Sequence, residues 1–155
     1  MVEADETFFR RSYKGQAPPL GRIARQRGGP IPKADLGHEL VPVLVARDRS
    51  AATADFVLAA DTKACIFQAL QPLIQADAIL CTDSSLAMAA AAHQLEVEHQ
   101  AVNLAADVRV RGPWHIQNVN NYHSRLKGWL HRFRGVATFY LSSYLGWFRA
   151  LDRSS

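Results

Sequence analysis

The spacing of apolar positions along the chain changes character near residue 60. Before it, the period is two, as in half-buried strands. VEADETFF, starting at Val2, sets Val2 and Ala4 on one face and Glu3, Asp5 and Thr7 on the other. Residues 10–37 break the pattern with Ala-Pro-Pro and Gly-Gly-Pro and read as a long mobile loop or a loose hairpin tip. ELVPVLVARD, residues 39–48, reads as a buried strand whose first pairings are limited by Pro42. A turn at Asp48-Arg49-Ser50 leads into a third strand over 53–59, so three consecutive strands are expected to run antiparallel.

After that the period becomes helical. Asp61-Thr62 can cap a helix reaching about residue 75, with Ile66, Leu70, Leu73 and Ile74 on one face. The short apolar run AILCT, 78–82, has the form of a strand buried on both faces. Asp83-Ser84-Ser85 can cap an alanine-rich helix to about residue 95, and 97–104 reads as a further strand. A connector over 108–114 precedes a long helix at about 116–133 and an amphipathic helix at about 137–151 that carries Phe139, Tyr140, Tyr144, Trp147 and Phe148. Three strands, then helix, strand, helix, strand, then helices is an α/β order with a mixed sheet.

Composition narrows the class. With 155 residues and 48% apolar content, the chain can bury the core of one ordinary domain, which excludes disordered, collagen-like and disulfide-scaffold chains. No apolar run is long enough to span a membrane, and the acidic start is not a signal peptide. Cys65 and Cys81 lie in apolar patterns and read as buried free thiols of a reducing cytosol. The net charge is +4, but its distribution says more. Residues 10–33 hold seven basic residues and no acid, residues 35–107 hold ten acids against three bases, and from residue 108 eight bases face Asp152 alone. Basic ends around an acidic middle suit a polyanion approaching an acid-lined centre; segregated surface charge is the plainer alternative.

Two acids stand out. Asp5 lies inside a strand, where aspartate is disfavoured, and Asp83 ends a buried strand, at the sheet edge where α/β sites form. Asp83 can equally cap the helix that follows, and Asp5 can be a surface acid of an edge strand. On the long helix, Ile116, Val119, Tyr122, Leu126, Trp129, Leu130 and Phe133 form an apolar stripe. Asn120, His123, Ser124 and Lys127 form a polar stripe beside it, either a solvated face or part of a site.

VEADETFF, VPVLVARDR, AILCTDSS and HIQNVNNYHSRLKGWLHRFRGVATFYLSSYLGW together resemble the catalytic domain of a DDE-type bacterial insertion-sequence transposase. The group is one whose full proteins carry an N-terminal zinc ribbon before an integrase-like, RNase H-like domain. The resemblance implies an RNase H-like fold over residues 1–152, with a five-stranded mixed sheet and helices on both faces, a basic loop at about 10–37 and a short tail at 153–155. It implies two Mg²⁺ (or Mn²⁺) ions held by Asp5, Asp83 and Asn120, with the two aspartates close enough to share an ion. Asn120 stands where glutamate is frequent in the family, and its neutral amide oxygen is a weaker ligand than a carboxylate. Lys127 matches a basic residue two turns beyond it and would contact DNA, with His123, Arg125 and Arg132 as further contacts; His123 is alternatively a residue that assists Asn120 in completing the metal site.

The implied activity is metal-dependent cleavage and strand transfer at insertion-sequence ends, by a homo-oligomer on transposon-end and target DNA. The implied location is the bacterial cytoplasm, at the nucleoid when bound, with no membrane. Because the chain starts at the first catalytic strand, a truncated or split transposase lacking its zinc ribbon is expected. The alternative is an inactive remnant that only binds DNA or multimerises.

Overall fold

The structure is a computed structural model that describes residues 1–17, 19–22, 29–30, 36–102 and 110–153. Strand β1 (Val2–Arg10) is the organising element. A short helix α1 (Leu36–Glu39) leads into β2 (Leu40–Asp48), and β3 (Thr53–Val57) follows across a turn closed by the Asp48 carboxylate, which accepts from the Ser50 and Ala52 N–H groups. Helix α2 (Lys63–Leu70), β4 (Ile79–Thr82), helix α3 (Leu86–Leu95) and β5 (Glu98–Ala101) come next. The sheet order is β3-β2-β1-β4-β5. β2 runs antiparallel to both β1 and β3, while β1, β4 and β5 run parallel. This is the five-stranded mixed sheet that the sequence implies.

Several expected boundaries hold for the expected reasons. Thr62 and Ser85 cap α2 and α3 by accepting from the Cys65 and Met88 N–H groups. The β2–β3 ladder starts at Val43, one residue past Pro42, which has no N–H to give. Others shift. Helix α2 stops at Leu70 and not near residue 75, because Pro72 cannot donate to the preceding turn. The expected connector contains a small hairpin, β6 (Val110–Arg111) and β7 (Trp114–His115), turned at Gly112 with φ +63°. The long helix is α4 (Gln117–His131); a 3₁₀ turn (Thr138–Tyr140) then leads into α5 (Leu141–Arg153). Much of the 10–37 loop, and residues 103–109 of the expected fifth strand and connector, lie outside the described residues.

Both faces of the sheet are covered. On one, Val41, Val43 and Val45 pack against Val119, Tyr122, Leu126 and Trp129 of α4 and against Leu145 and Phe148 of α5. On the other, Ala4, Leu44 and Leu80 meet Ile66 and Leu70 of α2 and Met88, Ala91 and Ala92 of α3. Cys81 is buried and Cys65 half-buried, both as free thiols. Among the described residues no helix is long and apolar enough to cross a membrane.

Helix α4 is fixed to β1 at both ends. Its N-cap, Ile116, offers no side-chain hydrogen bond. In its place the Glu3 carboxylate, 1% exposed, accepts from the N–H groups of Asn118 (2.9 Å) and Val119 (3.1 Å) and from the Asn118 amide (2.8 Å). His115 Nδ1 and Arg49 Nη1 lie 3.3 and 3.8 Å from the same carboxylate. Just beyond β1, the Lys14 ammonium donates to the carbonyls of Phe133 and Gly135, both at 2.9 Å, in the turn that ends α4. An anion at the helix start and a cation at its end complement the helix dipole and satisfy groups the helix cannot pair itself.

These two clamps differ in burial and therefore in weight. Glu3→Gln is expected to lower unfolding free energy by about 2 kcal/mol, the cost of losing a charged acceptor for buried N–H groups. Lys14→Met, at an exposed site, is expected to cost only about 0.5 kcal/mol. Urea unfolding of both variants checks the ranking, and equal costs would contradict it.

Candidate metal centre

The pairing of β1 with β4 is brief. Val2 faces Leu80 and Glu3 faces Cys81, and there the ladder stops. Two residues further along each strand stand Asp5 and Asp83, so the parallel register carries the two acids to the same level. Carboxylate oxygens of Asp5, Glu6 and Asp83 lie within 4.8 Å of one another. Asp83 does not cap α3, since Ser85 does that; the Asp83 Oδ1 accepts from the Ser85 N–H at 2.9 Å, which orients the carboxylate.

Glu6 is the member that sequence reasoning missed. Alternation along β1 assigns it to the face opposite Asp5. Past Glu3 the β4 side of β1 has no paired strand, so carboxylates from the two faces can approach around that edge although β2 stays paired on the other. The signal was the adjacent acid pair itself, Asp5-Glu6.

Burial and mutual repulsion shape the protonation of this cluster. Burial, and then the Asp83 charge, push the Asp5 carboxyl up to about 7, against the pull of a backbone N–H and Lys127. Burial, then Asp61, Asp5 and Asp83, push Glu6 up to about 8. His123 projects from α4 toward Asp5, with Nδ1 3.8 Å from Asp5 Oδ2. Its imidazole is held down at about 4 by burial first and then by Lys127. Among the described residues, the buried side-chain polar atoms without a hydrogen-bond partner are Glu6 Oε1 and His123 Nε2.

The other residues singled out from sequence divide into two groups. Asn120 is half-buried one turn before His123 on the same stripe of α4, and Lys127 is exposed one turn after it, with Nζ 6.0 Å from the Phe9 ring centre. Arg125 faces elsewhere. It is paired with Asp152 of α5, which also takes Arg47 at 2.7 Å, and its guanidinium lies 5.9 Å from the Tyr122 ring centre. Arg132 ends α4 beside His131, Arg134 and Gly135, which line an open basic hollow. His123, expected on an open face toward DNA, is 7% exposed.

A parallel pair of strands that ends on clustered carboxylates, flanked by an antiparallel meander and covered by helices, defines an RNase H-like domain with an acidic centre. Comparison with known families places the chain more closely. The ISXO2-like transposase domain matches residues 1–149, and the chain belongs to that family. A search of curated proteins found no match. Transposases of this type employ divalent metal ions, and the donor set fits: hard carboxylate oxygens whose mutual repulsion a cation would relieve, with one oxygen buried and unpaired.

The protonation pattern has a direct consequence for stability. Between about pH 6.5 and 8, folded Asp5 and Glu6 retain protons that the unfolded chain, with carboxyls near 4, has released. Their contribution to stability is full below about pH 4, declines as pH rises, and its remainder is lost between about 6.5 and 8. Below about 6.5 His123 acts in the opposite sense, because the unfolded imidazole takes a proton that the buried one refuses. In chelator, the melting temperature is expected to fall as pH rises from 6.5 to 8, and Asp83→Asn should flatten the slope. A melting temperature that climbs across that window would contradict the assignment.

Proposed function

We propose that this domain cleaves DNA at insertion-sequence ends and joins the freed ends to target DNA, using divalent ions held by Asp5, Asp83 and Asn120. The observation that carries this reading is the convergence of Asp5 and Glu6, within β1, with Asp83, just past the end of the adjacent parallel strand β4, in a member of a transposase family. When bound, Mg²⁺ or Mn²⁺ would supply Lewis acidity to the attacking and leaving oxygens of an in-line displacement. The chain's own residues do the rest. Asp5 and Asp83 concentrate negative charge where the ions are needed, and the Ser85 N–H orients Asp83. Lys127, exposed on the α4 stripe that passes Asp5, would receive a DNA phosphate as a point charge, with Arg132 a turn further on meeting the backbone. In the first step water attacks a phosphodiester and frees a 3′-hydroxyl. In the second, that hydroxyl attacks a target phosphodiester. A homo-oligomer would bring two ends together.

The test uses duplexes from the genomic DNA that flanks the coding sequence, with a supercoiled plasmid as target. Nicking is expected with Mg²⁺ or Mn²⁺ and not in chelator, and Asp83→Asn should abolish it. Lys127→Ala should weaken DNA binding and reduce the salt slope of the affinity by about one. Binding without any metal-dependent nicking would overturn the catalytic reading and favour a DNA-binding remnant.

Asn120 is tested separately. Asn120→Glu, which adds a charged oxygen, is expected to tighten Mg²⁺ binding, and Asn120→Ala to weaken it. Identical calorimetric affinities for parent and both variants would remove Asn120 from the site.

A further inference from the structure

Asp5 has a second neighbour besides the acids. On its α4 side lies His123, 93% buried by its exposure of 7%. Its Nδ1 faces Asp5, 3.8 Å from Oδ2 and beyond hydrogen-bond length, and Nε2, across the ring, is buried without a partner. A buried polar atom left unpaired costs free energy and calls for a reason. Among the described residues the other such atom is Glu6 Oε1, in the acid cluster beside Asp5. Both groups adjoin the Asp5 carboxylate, and a cation is the kind of partner that a carboxylate oxygen and the Asp5-facing Nδ1 of a neutral imidazole can share, with the ring proton then on Nε2.

The spacing permits it. Two donors each about 2.1 Å from one ion stand at most about 4.2 Å apart, so an imidazole nitrogen 3.8 Å from an aspartate oxygen can share an ion with it. Asn120, one turn away, offers only a neutral amide, which leaves room for a stronger donor on this side of Asp5.

We propose that His123 is a nitrogen ligand to the ion that Asp5 holds on the α4 side, and that this makes the centre select Mn²⁺ over Mg²⁺ and Ca²⁺. The proposal rests on the metal-centre reading given above. Imidazole binds first-row transition ions readily, whereas Mg²⁺ and Ca²⁺ favour oxygen donors. A set of carboxylates with one imidazole keeps the hard oxygen character that Mn²⁺ tolerates and adds a donor that Mg²⁺ uses poorly.

The test is Mn²⁺ titrated into the metal-free full chain and examined by pulsed electron paramagnetic resonance, which detects nitrogen bound to the ion. Nitrogen coupling is expected in the parent, retained in His99→Phe and lost in His123→Phe. His99 is the control because it bonds Thr82, next to Asp83. By calorimetry, His123→Phe should lower Mn²⁺ affinity by about tenfold or more, the range for groups that tune a bound metal, with Mg²⁺ affinity little changed. The parent spectrum carries the test even where a variant misfolds. Bound Mn²⁺ without nitrogen coupling, displaced by Asp83→Asn, would overturn the role of His123 and leave the metal centre standing. No stoichiometric Mn²⁺ binding by the parent would overturn both.

Discussion

The capping of α4 by Glu3 is the contact on which the centre depends. A carboxylate two residues before Asp5 on the same strand holds the first turn of the helix that carries Asn120, His123 and Lys127. Strand and helix are then registered along their lengths: Glu3 at the helix start, Asp5 against His123, Phe9 under Lys127, and Lys14 at the helix end. Shifting α4 along its axis would break charge-assisted hydrogen bonds in a buried place, so the polar stripe cannot drift relative to Asp5.

Elsewhere the domain handles charge differently. On the far side of α4, the Tyr122 hydroxyl donates to Asp55 at 2.8 Å, and Arg149 of α5 pairs with the same carboxylate. Arg47 and Arg125 share Asp152, and both guanidiniums lie near the Tyr122 ring. Every acid in that network meets a cation, which ties α5 and α4 to β2 and β3. Among the described residues Lys127 is the cation that offsets Asp5 in the Asp5, Glu6 and Asp83 cluster, and burial raises the Asp5 and Glu6 carboxyls further. The contrast separates charges that brace the fold from charges left open to a ligand.

The succession of strands and helices was legible because β2, β3 and β4 have apolar patterns and Thr62 and Ser85 are good caps, while the five-stranded sheet came from the family resemblance and its order only from the structure. The family resemblance pointed to Asp5 and Asp83, and the parallel register explains why they meet. Glu3 was not legible. In VEADET it reads as one of three polar residues on an outward face, yet Glu3 and Thr7 are buried there under α4. Alternation tells which residues share a face and not whether a helix 115 positions away will cover it. Glu6 was hidden by the same rule, which holds only while a neighbouring strand continues. Arg125 looked like part of a basic helix surface, and its partner Asp152 lies in another helix.

The 115-residue separation between Glu3 and Asn118 also sets the order in which the domain can be built. During synthesis β1 emerges before its partners and can pair with β2 and β3 once about sixty residues are out, since the meander needs nothing beyond residue 57. Helix α4 leaves the ribosome about ten seconds later, at ordinary elongation rates. Until then Glu3 has no helix to cap, and Asp5 faces no imidazole. A nascent chain can therefore carry a formed meander, and even the three clustered acids once β4 has joined, without the helix that lines their other side. A contact that closes a loop of more than a hundred residues is needed before α4 can line the acid cluster. Docking of α4 and completion of the helix-lined side of the acid cluster are thus one late event.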